Sequence, residues 1–176
     1  MSTTELPSIA GQSVEALGGP RSIIVRQRSE HQRLDKLMDR VRSTEGDEQD
    51  EVLTQLCRLV FPHAFAEEAV LFPAARRVLP EGDPLTEHIE TEHQEINEVW
   101  SAVERSRHDD PGRAELLERA FALLDEDVRD EEDQLLPRLR AELDDRELIE
   151  LVMLVGHYSM LATTLHTLRV QPDRVR

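Results

Sequence analysis

The chain repeats itself. Ser29-Glu30-His31-Gln32, followed by Leu34, matches Thr91-Glu92-His93-Gln94, followed by Ile96. Further on, His63-x-x-x-Glu67-Glu68-x-x-Leu71-Phe72-Pro73 matches Asp127-x-x-x-Glu131-Glu132-x-x-Leu135-Leu136-Pro137. The order within each half is the same and the separations are nearly equal. A helix pair that occurs twice suggests a bundle with pseudo-twofold symmetry.

Periodicity and punctuation place the helices. Ile24, Leu34, Leu37, Met38 and Val41 form the apolar stripe of a first helix from about Ser22 to Arg42. A second runs from about Asp47 to Leu79, with a kink or break expected from Pro62 and Pro73 inside it. Asp83 is placed to cap a third helix, with Pro84 at its first position, reaching about Arg107. Asp109-Asp110-Pro111-Gly112 opens a fourth, which ends near Leu143 with Pro137 in its last turns. Asp144-Asp145 caps a fifth, from Arg146 to about Val170. Short connections imply antiparallel neighbours, so the expected fold is all-α: an up-and-down four-helix bundle over residues 21–143 plus a C-terminal helix over 144–176. Residues 1–20, rich in Ser, Thr, Gly and Pro, read as a flexible lead-in.

Aromatic residues are only 3% of the chain, and glycine is sparse, which favours helices over a sandwich or barrel. The net charge of −16 repels nucleic acid and anionic membranes, so neither is an expected partner. The charge is a solvated acidic surface, a store of cation ligands, or both. Cys57 is the single cysteine, which excludes an intrachain disulfide and a Cys-rich zinc site, and its apolar neighbours mark it as a packed thiol. No apolar stretch looks long enough to span a bilayer, and the N-terminus does not read as a signal peptide. A cytoplasmic location is the default expectation.

The repeat carries chemistry. Residues four apart share a helix face, so His63 and Glu67 can reach neighbouring points, as can Asp127 and Glu131. His31 and His93 each add one imidazole. Carboxylates bridge metals and imidazoles terminate them, a donor set suited to iron or manganese. The competing reading is a metal-free bundle in which these groups pair with one another. Burying six of them without metal is costly unless they do.

The ordered set of His31, His63-x-x-x-Glu67, His93 and Asp127-x-x-x-Glu131, each pair flanked by Glu-Glu-x-x-Leu-x-Pro, resembles the haemerythrin-like HHE cation-binding family over about Ser22 to Leu143. The resemblance implies two non-haem iron ions, with manganese an alternative, that meet oxygen, peroxide or nitric oxide. The family includes carriers, sensors and proteins with oxidase or catalase-like activity, so whether this chain is an enzyme stays open. Asp127 departs from the family, which usually places His there. The shorter, charged residue favours harder or more oxidised ions; it ligates directly, ligates through water, or has lost the role. Carriers of this type usually have five histidines and this core retains three, so reversible oxygen carriage is the poorest match. A helical binding or dimerisation module with a degenerate metal site is the alternative function, and iron storage is a third.

Several neighbours of the core set are less determined. His88 forms a second His-x-x-x-Glu pair with Glu92, but it lies five residues from His93 and cannot share its direction, so it is a reserve ligand. Glu30, Glu68, Glu92 and Glu132 are placed to hydrogen-bond the imidazole nitrogens that do not face metal; for Glu92 and Glu132, solvent-facing charge is an equal alternative. His108 reads as surface. The fifth helix is almost wholly apolar from Leu148 to Val155 and is expected to be buried on most sides, against the bundle or in a homodimer. Its Leu-Val-Gly-His-Tyr run is similar to the C-terminus of carboxymuconolactone decarboxylase-like and alkylhydroperoxidase-like proteins. No reactive Cys pair accompanies it, and His157 and Tyr158 read first as packing residues.

Overall fold

The computed structural model describes residues 6–168. Helix α1 spans Ile23–Ser43, with the Ser22 hydroxyl accepting from the Ile24 amide. The second bundle helix is α2 (Gly46–Ala66), a π-helical turn (Glu67–Leu71) and α3 (Phe72–Val78). The third is α4 (Gly82–Arg105). The fourth is α5 (Arg113–Asp130), a second π-helical turn (Glu131–Leu135) and α6 (Leu136–Glu142). Helix α7 (Asp145–Thr167) follows, capped reciprocally by Asp144 and Glu147. Among the described residues all regular structure is helical, and the order is the up-and-down bundle that the repeat implies.

The expected kink or break takes a specific form. Helix α2 continues unbroken through Pro62. At Pro73 and Pro137 the preceding turn widens instead: the Phe72 amide bonds the Glu67 carbonyl, and the Leu136 amide bonds the Glu131 carbonyl, five residues back in both cases. Proline lacks the amide that an α-helix would aim at Ala69 or Asp133, and its ring crowds that carbonyl. The repeated Glu-Glu-x-x-Leu-x-Pro signature thus encodes a π turn in each half. The inserted residue shifts the helical phase, so His63 and Glu67 before the turn and Leu71, Phe72 and Ala75 after it all face inward.

The core is layered. One apolar cluster gathers Ile23, Ile24, Leu71, Phe72, Ile89, Leu135 and Leu139; another gathers Leu37, Met38, Leu56, Val99, Trp100, Phe121 and Leu124. Each bundle helix passes from one cluster to the other, and the polar candidate residues lie at the crossing. Two hydrophobic cores therefore clamp a thin polar layer, which fixes its side chains by packing.

Four expectations need correction. Helix α4 begins at Gly82, so Asp83 sits inside its first turn and is not the cap. Gly82 presses against α3 so closely that an added Cβ would lie 2.4 Å from the Ala75 carbonyl oxygen. The described part of the lead-in is held down: Ile9 and Leu17 are buried, the Ile9 amide donates to the Glu132 carbonyl, and Arg28 donates to the Ile9 and Gln12 carbonyls. Among its described side chains, helix α7 buries Leu148, Leu151 and Val155 and leaves Met153, Leu154 and Met160 exposed. Finally, Arg146–Leu165 is long and apolar enough to cross a membrane by length and composition, because Gly, Ser, Thr, His and Tyr interrupt apolarity less than charges do.

Candidate metal centre

The polar layer brings all six predicted residues together. On one side, His63 Nε2 lies 2.8 Å from Glu67 Oε1, His31 Nε2 lies 3.1 Å from Glu131 Oε2, and the two imidazole Nε2 atoms are 3.2 Å apart. On the other, His93 Nε2 lies 3.3 Å from Asp127 Oδ1 and 3.9 Å from Glu67 Oε2. Two groups of converging donors result: His31, His63, Glu67 and Glu131; and His93, Asp127 and Glu131. Glu131 belongs to both, and Glu67 directs one oxygen to each side. Either group could hold a metal ion.

The opposite edges of the imidazoles are pinned. Nδ1 of His31, His63 and His93 lies 2.8 Å from Glu132, Glu30 and Glu68 respectively. A hydrogen bond at Nδ1 fixes the tautomer and turns Nε2 inward, as a metal ligand requires. Of the four flanking glutamates, three take the role that the repeat suggested. Glu92 does not. Its counterpart Glu30 is bonded to His63, and the residue corresponding to His63 is Asp127, which has no donor to offer.

Electrostatics show a site short of positive charge. Burial works against protonated His31, but Glu131 and Glu132 overcome it and raise its pKa to about 9. Burial likewise opposes the charge on His93, yet Asp127 and Glu68 raise it to about 11. His63 is raised well above its ordinary value by Glu67 and Glu30, although burial opposes its charge. Burial and the charge of Glu67 push Glu131 upward, and burial is the main cause of the rise at Asp127. Glu131 Oε1 and Glu67 Oε2 are buried without a hydrogen-bond partner, and Glu131 Oε2, His93 Nε2 and Asp127 Oδ1 make ion-pair contacts that lack hydrogen-bond geometry. Polar atoms left short of hydrogen bonds in this way, five converging on one layer, are what a cation with two or more charges would satisfy. The residues present fit such an ion.

Sequence reasoning missed Gln27. It is buried one turn before His31 and donates to Glu67 Oε1. The signal was its spacing of four from His31, which puts both on one face. Its counterpart in the other half is Ile89, so only Glu67 is held this way. His157 is exposed and Tyr158 packs beside Phe65, with ring centroids 6.1 Å apart, so both are packing or surface residues. His108 pairs with Asp50 at the surface. Burial raises the Cys57 pKa to about 11, which keeps it a thiol.

A cavity of about 210 Å³ opens beside the layer. His31, His63, His93 and Asp127, with Glu30, Glu68 and Asn97, form its polar wall, and the rest is apolar, including Leu34, Phe61, Phe65 and Ile96. Phe61 and Phe65 are partly exposed at its rim.

Fold and site together define a helical-bundle metal-binding protein whose donors come from all four bundle helices. The profile of the Hemerythrin HHE cation binding domain matches residues 22–139, and the chain belongs to that family. Among solved structures it is similar to a Hemerythrin HHE cation binding domain-containing protein from Mycobacterium kansasii, with a TM-score of 0.73 and 18% identity, over 86% of this chain and 94% of that one. At that identity the likeness speaks for the fold alone. No curated protein matches the chain. None of these comparisons supports the resemblance of the C-terminal run to carboxymuconolactone decarboxylase-like proteins.

Proposed function

We propose that the chain binds two non-haem iron ions in the polar layer and uses them to handle or sense a small molecule such as oxygen, peroxide or nitric oxide. The carrying observation is the sharing of Glu131 between two donor groups. In this reading His31, His63, Glu67 and Glu131 hold one ion, and His93, Asp127 and Glu131 hold the other. Imidazole and carboxylate donors without sulfur suit iron, with manganese next. Iron would supply Lewis-acid and one-electron chemistry. The chain's own residues do the rest. Glu30, Glu68 and Glu132 orient the imidazoles, the two apolar clusters exclude bulk water, and the cavity admits a small neutral molecule against His93 and Asp127. The second position has one imidazole against two at the first, with Glu67 turned toward both, and so carboxylate-rich a donor set favours handling or sensing over carriage.

The test is anaerobic loading with Fe(II), followed by addition of oxygen, hydrogen peroxide or nitric oxide while near-ultraviolet and visible absorption are recorded. A saturable spectral change with at least one of them, absent in His93→Ala, is expected. No change with any of the three would overturn the reading. A second reading, a dimerisation module with a degenerate site, draws on the exposed Met153, Leu154 and Met160 of α7. It fails if the chain stays monomeric at high concentration while binding iron tightly.

A further inference from the structure

The sequence holds one more His-x-x-x-Glu pair, and it lies outside the six-residue layer. His88 Nε2 is 2.9 Å from Asp130 Oδ2 and 3.8 Å from Glu92 Oε1, and one donor atom from each of the three residues falls within a single 4.8 Å cluster. Two of them adjoin members of the layer: Glu92 precedes His93 and Asp130 precedes Glu131. An exposed His88–Asp130 ion pair would be ordinary. Glu92 is not. It is only 8% exposed, its Oε2 is buried with no hydrogen-bond partner, and its carboxylate faces the cluster. A buried carboxylate oxygen without a hydrogen bond is costly, and a cation held by the cluster would satisfy it.

The repeat says why the cluster exists in one half only. The positions matching His88, Glu92 and Asp130 are Arg26, Glu30 and Ala66. There, Glu30 is bonded to His63 and lies in the field of Arg26. In the second half the imidazole has become Asp127 and the arginine has become His88, which frees a carboxylate and supplies a ligand in its place. Asp130 adds a second carboxylate where the first half has an apolar Ala66.

We propose that His88, Glu92 and Asp130 form a third divalent-cation site, on the solvent side of the Asp127 position, and that ions pass through it to reach the buried layer. One imidazole nitrogen and two carboxylates leave several positions for water, the coordination of a weakly held, exchangeable first-row ion such as Mn(II) or Fe(II). Exposure falls along the path: the His88 side chain is 58% exposed, that of Asp130 19%, and those of Glu92 and Asp127 10% each. The passage role rests on the two-metal reading; the third ion itself does not.

Titration of the full metal-free chain with Mn(II), followed by calorimetry and by the electron paramagnetic resonance of free ion, tests this. Wild type is expected to bind one weak ion more than His88→Ala, with the tighter ions unchanged. Asp130→Asn should repeat the loss, and His63→Ala should lose tight binding while keeping the weak ion, so failure of the buried centre and failure of this site are told apart. His88 is exposed and outside the core, so its removal leaves the fold intact. Stopped-flow loading of the buried layer should be severalfold slower in His88→Ala, with the same final occupancy. Equal stoichiometry in wild type, His88→Ala and Asp130→Asn would overturn the site, and an unchanged loading rate would overturn its role as the way in.

Discussion

Filling the layer with metal must expel protons, and the number is set by its imidazoles. His31, His63 and His93 all have pKa values raised above the ordinary imidazole value, to about 9 for His31 and about 11 for His93. A metal needs every Nε2 lone pair; His31 and His63 stand Nε2 to Nε2 at 3.2 Å and so share one inner proton near neutrality, while His93 carries another. Saturation near pH 7 should therefore release about two protons per chain. Each released proton contributes about 1.4 kcal/mol per pH unit to the apparent binding free energy, so raising pH from 6.5 to 7.5 should strengthen complete filling by about 3 kcal/mol, roughly a hundredfold. Calorimetric titration with Mn(II) in two buffers of different ionisation enthalpy counts the protons directly, and chelator competition at the two pH values gives the affinity change. Release of less than one proton, with an affinity flat across this interval, would refute the assignment of these imidazoles as ligands.

The same shifts act on the metal-free protein with the opposite sense. A histidine whose folded pKa is raised stabilises the fold fully below its unfolded value near 6.5 and loses that contribution as pH rises through the folded value. The melting temperature of the metal-free chain should thus fall between pH 7 and pH 9 or above, whereas the protection given by added metal should grow over the same range; a metal-free chain whose melting temperature rises with pH would contradict the charge assignment. Replacing Asp127 by His should give Glu92 the donor that Glu30 has in His63, return the Glu92 pKa from about 7 toward the ordinary carboxylate range, and tighten the second metal about 10- to 100-fold; weaker binding in titration would count against the pseudo-symmetric reading. Gly82→Ala forces a methyl against the Ala75 carbonyl and should cost about 1–3 kcal/mol in chemical denaturation; an unchanged midpoint would mean that the α3–α4 approach is slack.

The repeat made the bundle and the six donors legible because ligand chemistry leaves few residue choices, and four-residue spacing on a helix fixes direction. The three glutamates at Nδ1 were visible for the same reason: each adjoins a candidate ligand in sequence. Gln27 was not, since an amide on an apolar-facing turn reads as ordinary polarity until the carboxylate it holds is seen. The π turns were legible only as trouble at Pro73 and Pro137. A missing amide tells where a helix must adjust and not whether it bends or widens. The pinned lead-in escaped detection because Ile9 and Leu17 are isolated apolar residues whose burial depends on a groove built by distant segments. Helix α7 misled in the other direction, since its run of apolar residues says nothing about how much surface the bundle offers to cover them.

The central claim is two inequivalent metals sharing Glu131. Mössbauer spectroscopy of the chain loaded with isotopically enriched iron, alongside metal analysis after desalting, tests it most directly. Two irons per chain in two doublets of equal area, one for the position with two imidazoles and one for the position with a single imidazole and Asp127, is the predicted result. A single iron, a single environment, or no retained iron would contradict it.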